Sequence, residues 1–342
     1  MKLFRKKSTS QSSEPEKPDG RYQVLVIQQD DYDWEEIMKD AKTKDGKGIR
    51  IIQTSFEDLL LGPCDNYSTE LGSRIHVDVR RLWKNGRPLP ESFTRGIRPS
   101  LLLARNVLCT VTHNHRNTLY GFEYAGVPMM NSFHAQFMNS ERAVVVAAMS
   151  KLARQLGREN FPLISQAFFA SESSFFYGLP FPCVTKLGSG HAGYGKLKVA
   201  NHHDMQDVRT LLPMTKDGYA TAETFIEADY ELRLQKLGTH LRAFKKVGLS
   251  GHWKTNTGTC DLVEIPVTEQ FEFWLDQASS LFGGMELCTL DVLHDKLQDK
   301  YFILELNGGS SGLSPYHAVA DNKIIGQMVI DKLNQLYCGD ST

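Results

Sequence analysis

Lys186 ends an extended run in the stretch 182–199, and Lys196 opens the extended run that follows. Between them lie Gly188, Gly190, Gly193, Tyr194 and Gly195. Glycines, having no Cβ, let backbone N–H groups approach an anion closely and tolerate positive φ. Two lysines add compact positive charge at the ends of the loop. The chemistry implied is a clamp on a polyphosphate, and the plain alternative is a glycine-rich hairpin without a ligand.

Three familiar phosphate loops do not fit. Gly188-x-Gly190-x-x-Gly193 matches the dinucleotide fingerprint, which requires a helix next, whereas Lys196-Leu-Lys-Val-Ala alternates like a strand. Residues 190–196 match a Walker A loop, but Leu197 stands where Ser or Thr would hold Mg²⁺. A kinase flap also lies between strands, yet no His-Arg-Asp or Asp-Phe-Gly follows. A strand–loop–strand flap on another scaffold remains.

Further along, Glu223-Thr224-Phe225-Ile226 sits near an expected strand end. Its backbone can pair with an adenine edge while Phe225 and Ile226 pack on the ring. Glu231 is close enough to reach ribose hydroxyls. Asp291 and Glu305-Leu-Asn307 offer the hard oxygen ligands that a phosphate-bridging cation needs. Glu305 and Asn307, two apart on a strand, share a face. A neighbouring strand carrying Asp291 would complete a trio, and solvated acids at sheet edges are the alternative. Arg233 alternates with Leu232 and Leu234 and so faces away from them, while Lys246 and Lys254 lie between the ribose and metal candidates.

These groups need a scaffold. Residues 22–28, 48–56, 101–104 and 127–130 read as strands, 75–79 as a half-exposed strand, and 34–41 and 118–124 as helices. That alternation predicts an open α/β sheet. A helix capped by Asn139 or Ser140, with Glu141 in its first turn, is expected to run to Gly157. After the flap come a helix near 203–212 and antiparallel strands at 219–226, 230–237 and 241–247, the last two joined by a turn at 237–240. A helix at 269–282, strands at 287–293 and 301–306 and a helix at 322–337 complete the chain. The expected fold class is α/β followed by α+β, with a leader at 1–20 and domains at 21–133 and 134–338.

Bulk properties narrow the function classes. The chain has 342 residues, 41% hydrophobic and 23% charged, with a net charge of −1, so no global basic field points to nucleic acid. Six cysteines without a CxxC pair read as reduced thiols of a cytoplasmic protein. No run reaches the about 18 apolar residues of a transmembrane segment. The N-terminus lacks the apolar core of a signal peptide. Arg5-Lys-Lys-Ser8 has the spacing basophilic kinases favour, and a phosphate on Ser8 would cancel much of that basic cluster; a plain solvated tail is the alternative. His113-Asn-His115 can chelate a metal or simply face solvent. Phe168-Phe169 and the aromatics at 175–177 can touch lipid or pack in a core.

The order lysine, glycine flap, hinge glutamate, then Asp and Glu-x-Asn resembles the ATP-grasp superfamily. Gly251-His-Trp-Lys-Thr-Asn-Thr-Gly258 resembles the synapsins more specifically. So do Ala125-Gly-Val-Pro with Asn131-Ser-Phe-His134, Phe161-Pro-Leu-Ile164, Tyr230-Glu-Leu-Arg-Leu-Gln-Lys236 and Leu281-Phe-Gly-Gly284, across about residues 21–338. The resemblance implies a pre-grasp open α/β sheet followed by a two-lobed ATP-grasp region. It implies ATP with Mg²⁺ or Ca²⁺, homodimers or higher oligomers, and peripheral association with synaptic or secretory vesicles. By position it makes Arg142, Lys186, Glu223, Glu231, Arg233, Lys246 and Lys254 nucleotide contacts, Asp291 and Glu305 metal carboxylates, and Ser8 part of a phosphorylated leader. Arg142 replaces a family lysine, Lys246 an arginine, and Asp291 is shorter than the glutamate family members can carry. Glu305-Leu-Asn307 is closer to catalytic ATP-grasp ligases, and the long proline-rich C-terminal region of many synapsins is absent.

The leading expectation is therefore an ATP-binding regulatory phosphoprotein on vesicles, acting in neurotransmitter release and leaning away from catalysis. The alternative is a ligase that joins a carboxylate to an amine or thiol through an acyl-phosphate. A scaffold without nucleotide binding is a third reading, against which both lysines and the acidic trio argue.

Overall fold

The computed structural model describes residues 20–63, 75–110, 113–174, 180–190, 193–215, 217–248 and 260–339. Ser8, Lys254, the aromatics at 175–177 and the 251–258 segment lie outside the described residues.

Tyr22–Ile27, Ile49–Thr54 and Leu101–Ala104 form a parallel sheet with the first strand in the middle. Their near-continuous apolar sequence follows from burial on both faces. Leu25, Ile27 and Leu102 pack against Leu119 and Phe122 of the helix Arg116–Tyr124. Val24, Val26, Leu101 and Leu103 pack against the helices Trp34–Met38 and Ala318–Tyr337, so the last helix of the chain closes over its first sheet. Each such fully buried aliphatic side chain contributes about 1.5–3 kcal/mol.

Two expectations change here. The strand expected at 75–79 is shorter, Val77–Val79, though the alternation holds: Ile75, Val77 and Val79 are wholly buried, His76 is exposed and Asp78 is half-buried. The strand expected at 127–130 is a single parallel bridge, Leu102 to Met129. Asn131 then turns the chain at φ 51°, and its side chain is drawn off to Leu287, donating to the carbonyl at 2.7 Å and accepting from the amide at 2.9 Å.

A short helix, Phe133–Asn139, follows, with the Ser132 hydroxyl accepting from the Ala135 amide. The long helix Arg142–Leu156 starts almost at once, with Glu141 as its N-cap residue. Asn139 and Ser140 therefore do not cap it. Asn139 closes the preceding helix and donates to the Leu306 carbonyl at 3.1 Å. The helix stops at Gly157 as expected, where φ is 84°.

Beyond two small antiparallel sheets within 59–97, two larger antiparallel sheets follow Gly157. In the smaller, the strand order is Lys196–Val199, Cys183–Leu187, Ala220–Thr224, Gln166–Phe169. Period-2 alternation sends Cys183, Val199, Ala220 and Ala222 to one face, against Met205 and Val208 of the helix His202–Leu211. Lys186, Lys196 and Glu223 are left on the other face. The larger sheet runs Cys260–Ile265, His240–Gly248, Ala228–Leu237, Leu287–Asp295, Lys300–Asn307. Leu232, Leu234, Leu290, Val292, Ile303 and Leu306 form its apolar face, packed against Trp274 and Leu275 of the helix Glu269–Ser279.

The opposite face of the larger sheet depends on a bulge. Asp291 pairs with Glu305 while Val292 pairs with Ile303, so Leu304 is the extra residue. In a regular strand of the same sequence Ile303 and Glu305, two apart, would share a face. With it, Ile303 enters the core while Glu305 crosses to the polar side.

Candidate functional site

The polar faces of the two antiparallel sheets look at each other across a cavity of about 300 Å³. Arg142, Lys186, Gly190, Lys196, Arg233, Glu305 and Asn307 contribute to its wall. Glu223 and Asp291 stand just behind, each bound to a lining residue.

In the flap hairpin, Lys186 is directly opposite Lys196, so both ammonium groups project from one face. Lys186 Nζ lies 2.7 Å from Glu223 Oε2 and 3.7 Å from Glu305 Oε2, and Lys196 Nζ lies 3.8 Å from that same Glu305 oxygen. The Lys186–Glu223 contact is off the hydrogen-bond direction, so its attraction is coulombic. Burial pushes the Lys186 ammonium below its ordinary range, partly opposed by Glu223 and Glu305.

The flap's glycines have distinct jobs. Gly188, Gly193 and Gly195 adopt positive φ of 52°, 83° and 68°. At Gly190 the constraint is space, since a Cβ there would sit 2.6 Å from the Tyr194 carbonyl oxygen. Asp217 anchors the base of the flap, accepting from the Ser189 amide at 2.7 Å. Tyr194 itself is 70% exposed.

On the large sheet, Arg233 lies between Phe244 and Asp291 in register. Its Nε and Nη2 donate to the two oxygens of Asp291 at 3.0 and 3.2 Å. The Asp291 charge beside it raises the Arg233 pKa further. Asn307 Nδ2 donates to Asp291 Oδ2 at 2.9 Å. The expected trio thus converges, but with Arg233 already seated on its aspartate. Glu231 and Lys246, directly paired and both buried, hold Oε1 and Nζ 3.9 Å apart.

The hinge residues Thr224, Phe225 and Ile226 connect the small sheet to the large one. The Thr224 amide donates to Ser165 O and the Phe225 amide to Pro182 O. The Lys198 ammonium lies 3.6 Å from the centre of the Phe225 ring. These three residues, with Glu231 and Lys246, lie outside the cavity wall.

Sequence reasoning missed much of that wall. Val145, Val146 and Met149 are one to two turns beyond Arg142 and complete a helical face. Their spacing was readable, but not what the helix faced. Gln166, Leu304 and the loop Ser310–Gly312 add polar and apolar surface.

Arg142 gives the clearest sign of an anion site. Its Nη2 donates to the Gly190 carbonyl, while Nε and Nη1 are buried without a hydrogen-bond partner. Orphaned guanidinium N–H groups among further basic residues fit the oxygens of a polyphosphate. The donor set for a cation fits as well: two carboxylates and an amide oxygen, hard ligands of the kind used beside phosphates. Among the described residues no three His, Cys, Asp or Glu side chains gather in one place, so here the third oxygen would have to come from the Asn307 amide. His113 and His115 are stacked at 5.9 Å, with His115 bound to Glu57 at 3.2 Å.

Comparison with known proteins agrees with this geometry. A family model described as the synapsin pre-ATP-grasp domain matches residues 18–129, and one described as synapsin, ATP binding domain, matches residues 131–335. The chain is similar to Synapsin from Drosophila melanogaster, 31% identical over 288 residues, which is 83% of this chain and 27% of that protein. It therefore spans about a quarter of the length of the curated relative it matches. Among solved structures it is similar to D-alanyl-alanine synthetase A from Vibrio cholerae, with a TM-score of 0.59 at 10% identity, covering 92% of this chain and 99% of that one. It is also similar to the ATP-grasp ligase PsnB complexed with a phosphomimetic variant of its minimal precursor, Mg and ADP, with a TM-score of 0.58 at 16% identity, covering 92% and 98%. The RimK domain ATP-grasp protein of Sphaerobacter thermophilus gives a TM-score of 0.57 at 12% identity, covering 90% and 99%. Likeness at these identities concerns the fold, which is ATP-grasp.

Proposed function

The chain belongs to the synapsin family and has the ATP-grasp fold, and from that premise we propose that it is an ATP-binding regulatory protein. The triphosphate lies between Arg142, Lys186, Lys196 and the flap. The hinge Glu223–Ile226 meets the base, and Glu231, Arg233 and Lys246 the sugar and phosphate edge. Asp291, Glu305 and Asn307 hold Mg²⁺ or Ca²⁺, which shields phosphate charge. The single observation that carries this reading is the pair of buried, unpartnered nitrogens of Arg142 facing the flap lysines.

Ligand entry is an exchange of partners among this chain's own groups. Glu305 faces Lys186 and Lys196 across the cavity, and Asp291 pairs with Arg233 on the same sheet, so opposite charges neutralise each other. Phosphate oxygens compete for the lysines and thereby release Glu305 for a cation. Anion and cation are expected to bind better together than apart. ATP then favours the state in which both sheets engage it, in proportion to its difference in affinity for the open and closed forms.

On family grounds the proposal extends further. It places the protein in the cytoplasm and peripherally on secretory or synaptic vesicles, as a homodimer or larger oligomer acting in neurotransmitter release, with Ser8 as a phosphorylation site. The working division is a leader to residue 20, a pre-grasp domain to 133 and a grasp domain to 338. No described helix is long and apolar enough to cross a membrane. Sedimentation and vesicle flotation, with and without ATP and Mg²⁺, test this. No nucleotide-dependent change in size or flotation would remove the regulatory reading.

A ligase is the second reading, favoured by one observation. The cavity continues past Glu305 and Asn307 to Ser310–Gly312 and Val107, leaving room beside the phosphates. ADP release dependent on a carboxylate and an amine or thiol supports it; none across a broad panel of such pairs rejects it.

A further inference from the structure

Arg105 follows the parallel strand Leu101–Ala104 and lies in the part of the chain matched by the pre-ATP-grasp model. Neither its spacing nor its neighbours in sequence single it out. In the folded chain it is buried, and its guanidinium reaches into the other half of the molecule. Nη1 donates to the Gly309 carbonyl, and Nη2 donates to the Ser311 carbonyl at 2.9 Å.

The charge there is costly. Among the described residues no carboxylate comes within ion-pairing distance of Arg105; Asp30 and Asp321 act only from further away. Burial brings the guanidinium down to about 10. Nη1 and Nη2 are spent on two loop carbonyls while Nε is buried without a partner, and an apolar residue of similar size is often no worse for stability than such a buried charge. Fold stability alone gives little reason for it.

The loop it grips explains it better. Gly308–Gly312 begins where Glu305-Leu-Asn307 ends, and all of it but Gly309 lines the cavity. It is held on every side. The Thr289 and Ser311 hydroxyls are 2.7 Å apart. A Cβ on Gly308 would lie 2.6 Å from Asn139 Oδ1, and one on Gly309 would lie 3.2 Å from Asn131 Nδ2 and 3.4 Å from the Ala104 carbonyl. Arg105 and the Ala104 carbonyl thus bring the end of the parallel sheet against the loop that follows Asn307.

We propose that Arg105 is a positioning residue of the nucleotide site: by holding the Gly309 and Ser311 carbonyls it fixes the end of the strand that presents Glu305 and Asn307 to a divalent cation. The assignment rests on the ATP-binding reading above and adds a role for the parallel-sheet half of the molecule.

The experiment compares the full chain with Arg105→Met and Arg105→Lys. ATP is titrated by calorimetry with Mg²⁺ and with EDTA, and hydrogen exchange over 306–312 is followed without nucleotide. In Arg105→Met, exchange over this loop rises, and the ratio of Mg²⁺-supported to metal-free ATP affinity falls by about tenfold or more, as when a residue supporting metal ligands is removed. Metal-free affinity itself changes by less than about threefold, since the lysines and flap are untouched. Arg105→Lys, which keeps a donor, falls between, and it alone decides the matter if Arg105→Met does not fold. A ratio equal to that of the unaltered chain, or an equal loss with and without metal, overturns the assignment. An unaltered chain that binds no ATP overturns the nucleotide reading itself, and this assignment with it.

Discussion

Lys186 and Glu223 form an ion pair of 2.7 Å whose side chains are only 4% and 7% exposed. They are diagonal neighbours on adjacent strands, since Lys186 pairs with Thr221 and Val184 with Glu223. Removing one partner strands the other in a poorly solvated site. Lys186→Ala should cost about 3–5 kcal/mol in stability as well as nucleotide binding. The double substitution Lys186→Met with Glu223→Gln should recover most of the stability and none of the ATP affinity. Chemical denaturation beside calorimetry separates the two effects; parallel recovery of both would show that the lysine has no role beyond the pair.

The same lysine sets a pH dependence. Burial lowers its folded pKa below the ordinary 10.5. In the window between the lowered value and 10.5 the unfolded chain holds a proton that the folded chain has released, so this group makes stability rise with pH there, and its cost is fully present below the window. Phosphate oxygens favour the ammonium form. ATP binding should therefore take up protons in that window, and affinity should fall as pH rises through it. Calorimetry in buffers of different ionisation enthalpy measures the uptake. Lys186→Arg, charged throughout, should abolish it.

Arg233 and a divalent cation compete for Asp291. Arg233→Met leaves the aspartate buried beside Asn307 without its counter-charge, at a cost of about 2–4 kcal/mol in metal-free buffer. Mg²⁺ or Ca²⁺ should then raise the melting temperature more steeply than in the unaltered chain, by mass action on the native state. Equal slopes would mean that the cation never reaches Asp291. Comparing the two ions in the same titration also gives the preference.

At Gly190 a methyl group would collide with the Tyr194 carbonyl and force the flap open. Gly190→Ala should weaken ATP binding by about 1–3 kcal/mol through misplaced backbone donors. Global stability should hardly change, because a two-stranded flap opens locally. An unchanged affinity would place the phosphates away from the flap.

What was legible in the sequence was what alternation and spacing encode. Lys186 and Lys196 bracket a loop too rich in glycine for an ordinary hairpin, and Glu305 and Asn307 keep a two-residue spacing. The hairpin at 237–240 and the stop at Gly157 were equally local. Contacts made at long sequence separation were not legible. Arg105 meets Gly309 across 204 positions. Asn131, whose side chain sits on Leu287, ends what looked like a strand. Asn139 looked like a helix cap but is drawn to Leu306 instead. In each case a hydrogen bond between distant parts of the chain, which local spacing does not encode, decides where the side chain goes. The members of the expected trio are neighbours in the fold, yet nothing in their spacing foretold that Arg233 would already be seated on Asp291.

The extra residue at Leu304 makes the strand a counting device. Everything beyond it keeps phase only while the number of residues is preserved, because shifting a strand by one exchanges its two faces. Substitutions along Lys300–Asn307 should have graded effects, one side chain at a time. Deleting Leu304 would only remove the bulge, leaving Ile303 opposite Val292 and Glu305 opposite Asp291. Deleting Leu306 would be different in kind: Asn307 would take the register opposite Leu290 and turn toward the apolar face, parting the amide from the carboxylate. Beyond the bulge, length is under stricter constraint than identity, and chains that share its function should vary in letters there long before they vary in number.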